Sequence, residues 1–457
     1  MKELAKKIGD SHYIVPKFGS MNCDANVFFS DALYEASERE VWNQLVNAAS
    51  YSGVKASYAM PDAHVGYGVP VGSVTVTENT LIQCAAGYDI SCGMILMQVK
   101  GLNARGLRSK ENRRQWMKEV ESRVALGVGI HRPKSMPTFT EEDLEKILRF
   151  GPSAIGVKTD VCERSFLPVS DRFNSKLIER AYKSAIPQIG SLGGGNHFIE
   201  LQCDAEDGTA WVMVHTGSRG YGYQTAEHFF YKGAEARGLP KNRRESSWVY
   251  VDEDVGREYW DYHNSAGNYA SANRHMIARS VSEAIEKVYN AECVTLYEIS
   301  HNLVQEETLP DGTKGFVHRK GATRAFPVND LNLQGAGHPC LIPGSMYEGA
   351  AVLTPLPGSS KSGFSVNHGS GRVLGRKDAK RKLGHKQLRI DEQMEKVLRN
   401  FGEVGIEGVL VNTRHVPIDE CNEVYKSLDH VLAVLENEGI AKIVRRLYPV
   451  ACIKGND

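Results

Sequence analysis

The chain carries no excess charge of either sign: Lys plus Arg and Asp plus Glu each total 55 in 457 residues. A global field for an anionic partner is thereby excluded, and any nucleic-acid surface has to be a local patch. The nine cysteines are odd in number and scattered, with no CxxC pair, so the chain encodes neither a zinc ribbon nor a disulfide framework. No apolar run approaches the ~20 residues of a membrane span. Residues 1–10 are charged and lack the apolar centre of a signal peptide. Low-complexity tracts, internal repeats and Pro/Ser-rich linkers are also missing. A reduced, soluble, cytoplasmic protein with no membrane partner is expected, built as one large domain or two moderate ones.

Glycine, by contrast, is abundant and clustered. The chain has 44 glycines, with clusters at YGVPVGS, GYDISCG, GSLGGGN, TGSRGYG and HGSGR. Each cluster adjoins a short β-like run such as SVTVT (73–77), FIELQ (198–202), WVMVH (211–215) or VTLYEI (294–299). Helical periodicity is clearest at 111–126, 172–187, 223–237, about 255–289 and 428–437. Glycine at a strand end permits positive φ and close approach of backbone to a ligand. The pattern predicts a mixed α/β protein whose strands deliver glycine-rich loops to one place.

The polar residues in those loops are of one chemical kind. Asp89 and Cys92 stand in GYDISCG, His197 in GGGNHFIE, His215 in VHTGSRG and His301 in ISHNLVQEE. A histidine taken singly is more often hydrogen-bonded or exposed than a ligand, and a lone cysteine is more often a small buried hydrophobe. Together, one thiolate, one carboxylate and three imidazoles suit Mn, Fe, Co or Zn better than Mg or Ca. A thiolate can bridge two ions, so the five could serve a two-metal site that clamps phosphate oxygens. His64, His318, His338 and His368 compete with them, and spacing does not rank these four. His338-Pro339-Cys340 has no second pair beside it and reads as structural. GSLGGGNHF, LIPGSM and HGSGR offer backbone nests for phosphate, although none matches a P-loop or dinucleotide fingerprint. The basic stretches 317–326 and 375–386 are candidates for phosphate contact, the second reading more simply as a solvated face.

In this order, MPDAHVGYGVPVG (60–72), AAGYDISCG (85–93), GSLGGGNHFIE (190–200), VHTGSRGYG (214–222), HN (301–302), VHRKGATRAF (317–326), LIPGSM (341–346), HGSGR (368–372) and IKG (453–455) strongly resemble the RtcB-type RNA-splicing ligases. The resemblance covers the chain from about residue 15 to its C-terminus. It implies a single α/β domain over 1–457, GTP and two Mn²⁺ ions as cofactors, and the joining of RNA ends. One end bears a 2′,3′-cyclic phosphate or 3′-phosphate, the other a 5′-hydroxyl. By the family pattern Cys92 bridges the two ions, one shared with His215 and His301, the other with Asp89 and His197. His368 matches the nucleophile that becomes GMP-histidine, and Asp62 the acid that orients it.

By the same resemblance the nucleotide would meet Asn196, His197, Phe198, Ile199, Glu200, His301, Asn302, Pro343, Gly344, Ser345 and Met346. Further contacts fall on His368, Gly369, Ser370, Gly371, Tyr425 and Lys454. Glu200 and Lys454 suit the guanine edge, and Tyr425 would stack on the base. Arg219 and Arg372 would meet RNA phosphates, and the family admits an archease-type accessory protein. The chain departs from the pattern at Ser370, where alanine is usual, and at Tyr347-Glu348-Gly349-Ala350, where Ala350 replaces a nucleotide-contacting serine. Two other classes of function compete: a metal-dependent phosphoesterase acting on RNA ends without guanylylation, and an RNA-binding module without catalysis.

Overall fold

The run VGSVTVT alternates small and β-branched residues, and it forms the strand Val71–Thr77, an interior strand of a seven-stranded sheet. Its neighbours are Val54–His64 on one side and Lys314–Lys320 on the other, both antiparallel to it. A second sheet of eight strands runs Glu292–Ser300, Gly93–Asn103, Thr209–Thr216, Phe198–Asp204, Ala441–Lys454, Ala350–Pro355 and Cys340–Pro343, with Leu410–Val411 added alongside Ala441–Lys454. The computed structural model describes residues 1–127, 133–164, 166–309, 311–327, 339–383, 406, 408–413 and 418–455. The mixed α/β expectation holds, and all four predicted strand runs lie inside strands. No helix among the described residues is long and apolar enough to cross a membrane.

Helices form where the periodicity predicts them, with shifted ends. The 111–126 pattern gives Lys110–Glu121, capped by the Ser109 hydroxyl, and 428–437 gives Leu428–Asn437. The 172–187 helix begins only at Glu179. Upstream, the Asn174 carboxamide accepts from the Lys176 N–H at 3.1 Å, a local turn bond that competes with helical pairing. The 223–237 helix starts early, at Arg219, so TGSRGYG is a helix N-terminus rather than a loop.

The helix Asp254–Tyr289 is the part of the scaffold that places the site. One face packs Ile277, Val281 and Ile285 into the core behind Ile95, Met97 and Val99. The other face is polar yet buried, including Asn268, Asn273 and Arg274. Buried polar groups are tolerated when each finds a partner, and here the partners are loop backbones. Asn273 accepts from Gly190 N–H at 2.7 Å and donates to the Ser191 and Gly217 carbonyls, both at 3.2 Å. Arg274 donates to the Ser91 and Thr216 carbonyls at 2.6 and 3.1 Å and to Glu298 at 2.6 Å. Two adjacent residues thus tie three loops that are far apart in sequence. Replacing Arg274 by methionine should leave the Glu298 charge buried and unpaired, at a cost of about 3–5 kcal/mol. The urea midpoint of the purified variant measures this, and an unchanged midpoint would remove the bracing role.

Candidate active site

The three tied loops, with the ends of strands from both sheets, surround a cleft of about 480 Å³. That volume lies within the usual range of small-molecule sites. Asp89, Cys92, His215 and His301 line it, and His197 stands directly behind Cys92. The Cys92 Sγ lies 3.2 Å from His215 Nε2 and 3.4 Å from His197 Nε2. His215 Nε2 in turn faces His301 Nε2 at 3.3 Å, and His197 Nε2 faces Asp89 Oδ2 at 3.0 Å. The ligand atoms fall into two triads that share the thiol: Cys92, His215 and His301, and Asp89, Cys92 and His197.

The far sides of the rings decide what these atoms can hold. His197 Nδ1 lies 2.8 Å from the Leu192 carbonyl and His215 Nδ1 3.2 Å from that of Asn196. A carbonyl only accepts, so it fixes the proton on Nδ1 and leaves the Nε2 lone pair pointing inwards. Burial, reinforced by the neighbouring imidazoles, pulls His215 and His301 well below the usual histidine range, so both are neutral. Burial also opposes charge on Asp89, but the His197 hydrogen bond and the His197 and Arg219 charges outweigh it and keep the carboxylate ionised. Burial and the Asp89 charge push the Cys92 thiol well up. Without a cation, protons shared among Cys92, His197 and Asp89 link the cluster. A cation would displace them and take the converging lone pairs as ligands.

His368 borders the same cleft, its ring 4.7 Å from that of His301. Its Nδ1 is 2.8 Å from Asp62 Oδ2, and the Asp62 side chain is fully buried. Asp62 ends up there because the strand Val54–His64 bends beside Gly72, which sits at φ +81°. A Cβ on Gly72 would collide with Asp62 Oδ1 and the Ala63 backbone. Gly72→Ala should therefore cost more than ~2 kcal/mol, from positive φ and overpacking together. Thermal unfolding checks this, and a midpoint within a degree of the parent would show that the strand can shift.

At the other end, Phe198 and Glu200 face the cleft from one strand, while Lys454 reaches it from the neighbouring strand, paired opposite Phe198. Glu200 is buried, which raises its carboxyl above the usual range, and it accepts from Gln202 at 2.8 Å. Lys454 Nζ lies 3.3 Å from Glu420 Oε2, which also accepts from the Tyr425 hydroxyl at 2.7 Å. Asn196, Asn302, Pro343, Gly344, Ser345, Met346, Gly369, Ser370 and Gly371 complete the wall. The Ser370 hydroxyl is buried without a hydrogen-bond partner. Glu420 belongs to this end although no motif marks it, and Arg376, from the basic stretch 375–386, joins it. Glu420 gathers Lys454, Tyr425, Arg372 and Arg376, a convergence that exists only after folding.

Several expectations are corrected by placement. Ile199 alternates away from Phe198 and Glu200 and packs in the core with Val214 and Ile453, so it does not line the cleft. Ala350 is a buried strand residue in an apolar cluster with Leu341 and Leu447, also outside the cleft wall, so restoring serine there would not restore a nucleotide contact. Arg372 spends its guanidinium on the Leu374 and Asp419 carbonyls, Tyr425 and Glu420. Arg219 donates to Ser191 Oγ and the Gly127 carbonyl and is outside the cleft wall. Both arginines brace loops, and Arg372 also lines the cleft. The 317–326 stretch is no basic surface either. Arg319 and Arg324 are buried against Glu307, and Lys320 alone of its basic residues reaches the cleft. His338 and residues 384–386 lie outside the described residues. His318 is buried and its ring accepts from the Ile82 N–H, a structural role.

Comparison with known proteins places the chain in a family. The family model described as tRNA-splicing ligase RtcB matches residues 44–455. An RNA-splicing ligase RtcB of Mycobacterium tuberculosis is 32% identical, covering 90% of this chain and 100% of the relative. The tRNA-splicing ligases RtcB of Thermococcus kodakarensis and Archaeoglobus fulgidus are 32% and 31% identical, each over the full length of both chains. With matches of this extent, the chain belongs to the RtcB family of RNA ligases.

Proposed function

We propose that this RNA ligase depends on Mn²⁺ and GTP, acts as one unit over residues 1–457, and works through a GMP-histidine at His368. It would join RNA ends bearing a 2′,3′-cyclic phosphate or 3′-phosphate to 5′-hydroxyl ends, in tRNA splicing or RNA repair. The observation that carries the reading is the His368–Asp62 pair set beside the two ligand triads. The Asp62 carboxylate accepts a hydrogen bond from His368 Nδ1–H, an arrangement that leaves the Nε2 lone pair free, as a nucleophile needs. Nε2 would attack the α-phosphorus of GTP, forming the N–P bond as the bond to pyrophosphate breaks. A cyclic end would first be opened by water to the 3′-phosphate; GMP would then pass to that phosphate, and the 5′-hydroxyl would displace it.

The five ligands fit a pair of transition-metal ions, Cys92 shared between them, His215 and His301 on one and Asp89 and His197 on the other. Such ions supply Lewis-acid stabilisation of charge on phosphate oxygens. Buried Glu200 offers acceptors for the guanine N1–H and amino group, and Lys454 a donor for its O6. Adenine presents no such pattern, so the pair supports GTP over ATP. Tyr425 borders this end, where its ring can pack on the base. Ser370, with its unpartnered hydroxyl, adds a donor beside His368.

Asp62→Asn tests the tautomer argument. The amide would donate to Nδ1, move the proton to Nε2, and slow GMP loading by about 10²–10⁴-fold, by analogy with triad carboxylates. Loading within twofold of the parent would dismiss that role. For the function itself, RNA strands with defined ends should join only when both GTP and Mn²⁺ are present. Release of inorganic phosphate without joining, indifferent to GTP, would favour the phosphoesterase.

A further inference from the structure

Beyond the metal ligands, the cleft opens past a row of aromatic rings that none of the chemistry above uses. Tyr67 and Tyr88 meet edge to face with ring centroids 5.9 Å apart, and Tyr88 stacks on Tyr223 at 5.2 Å. Phe230 backs Tyr88 at 4.9 Å. The outer rings stand in solvent: Tyr67 is 63% exposed and Tyr223 45%. The Tyr67 ring is held there by a braced loop. Lys320 Nζ donates to the Tyr67 and Val69 carbonyls at 2.7 and 3.0 Å. The Gln44 amide bonds both the Gly66 carbonyl and its N–H, at 2.8 and 3.0 Å. Gly68, at φ +73°, lies so close to the Glu245 carbonyl and Cys84 that a Cβ would not fit. A loop tied at so many points that still directs a large ring outwards presents that ring to a partner.

The surroundings indicate which partner. The segment KNRRES, Lys241–Ser246, packs beside the row: Glu245 accepts from the Tyr88 hydroxyl at 2.9 Å, and Arg244 lies over the Tyr231 ring at 5.0 Å. Lys241 and Arg243 on that segment are exposed, and Tyr231 is 42% exposed. Exposed rings interleaved with cations, continuous with a phosphate-handling cleft, match the requirements of a single strand. Bases stack on aromatic faces whatever their sequence, and lysine or arginine follows the backbone. We infer that Tyr67 and Tyr223 form a base-stacking platform for single-stranded RNA beside the end being joined, with Lys241 and Arg243 along its phosphates. This inference rests on the RNA-ligase reading and adds where the strand enters.

The test compares full-length protein with the Tyr67→Ala/Tyr223→Ala and Tyr67→Phe/Tyr223→Phe double variants. Affinity for unstructured ten-nucleotide RNAs ending in 3′-phosphate or 5′-hydroxyl is measured beside GMP loading from α-labelled GTP without RNA. The alanine pair should weaken binding of one or both strands about tenfold or more and raise the ligation KM, with loading within about twofold of the parent. The phenylalanine pair should bind as the parent does, and abasic residues next to the RNA end should weaken the parent but not the alanine pair. Parental affinity in the alanine pair overturns the platform, as does loss of loading in step with binding, which would make the rings supports of the site. A change in oligomeric state with RNA affinity unchanged would assign the patch to a second copy instead. Should the parent bind RNA through these rings yet join nothing, the ligase reading fails and the platform stands.

Discussion

His368→Ala is expected to abolish both GMP loading and ligation, by at least ~10³-fold, since no second group among the described residues is placed to replace a lost covalent nucleophile. Within the ring row His301–His368, His301 is committed to the ligand triad, and His215 faces it. His64, the remaining histidine on the cleft wall, turns its Nδ1 to the Asp62 carbonyl, and burial pulls it down to about 4. It has no carboxylate to prepare it as Asp62 prepares His368. Incubation of the parent with α-labelled GTP and Mn²⁺ should label the protein in a bond that acid cleaves and alkali spares. Protonation of nitrogen makes it a good leaving group in a P–N bond, whereas a phosphoester to serine or tyrosine survives mild acid. An acid-stable label that persists in His368→Ala would move the nucleophile elsewhere.

Cys92→Ala should have an effect of similar size by a different route. The thiol is the one atom common to both triads, so its loss weakens two sites at once. Loss of supporting residues around a metal typically costs 10–100-fold in affinity, and loss of a shared ligand should cost more than ~100-fold. The variant should emerge from gel filtration without its two Mn²⁺ ions, with ligation undetectable. Its fold should persist, because Gly93–Asn103 remains paired on both sides. Added Mn²⁺ should raise the melting temperature of the parent and leave the variant unmoved. Two ions per chain in the variant would show that the thiol does not bridge.

Much of this site was legible before folding was considered, for a physical reason. The candidate metal ligands and the loops proposed to hold nucleotide sit where strands end, and glycine marks those ends in the sequence, as around Asp89, His197 and His215. The period of two along FIELQ already separates Glu200 from Ile199, a signal that motif matching alone overrides. Partners of buried charge left no such trace. Arg372 and Arg219 look like phosphate ligands in isolation because their acceptors, the Asp419 and Gly127 carbonyls, are remote in sequence and carry no side-chain signature. Glu420 and Asn273 are equally silent, since their roles consist of whom they meet. The early start of the Arg219–Ala236 helix was hidden by its glycines, which weaken helical propensity while the tied loop supplies the N-terminus.

The central claim, that GMP travels from His368 to RNA, is tested most directly by a chase. Protein loaded with labelled GMP, freed of GTP, is mixed with RNA carrying either a 3′-phosphate or a 5′-hydroxyl. The 3′-phosphate strand should discharge the protein and take up the label, and later addition of a 5′-hydroxyl strand should release labelled GMP as the strands join. Label that stays on the protein in the presence of a 3′-phosphate strand, or that leaves equally with a 5′-hydroxyl strand alone, would contradict the account.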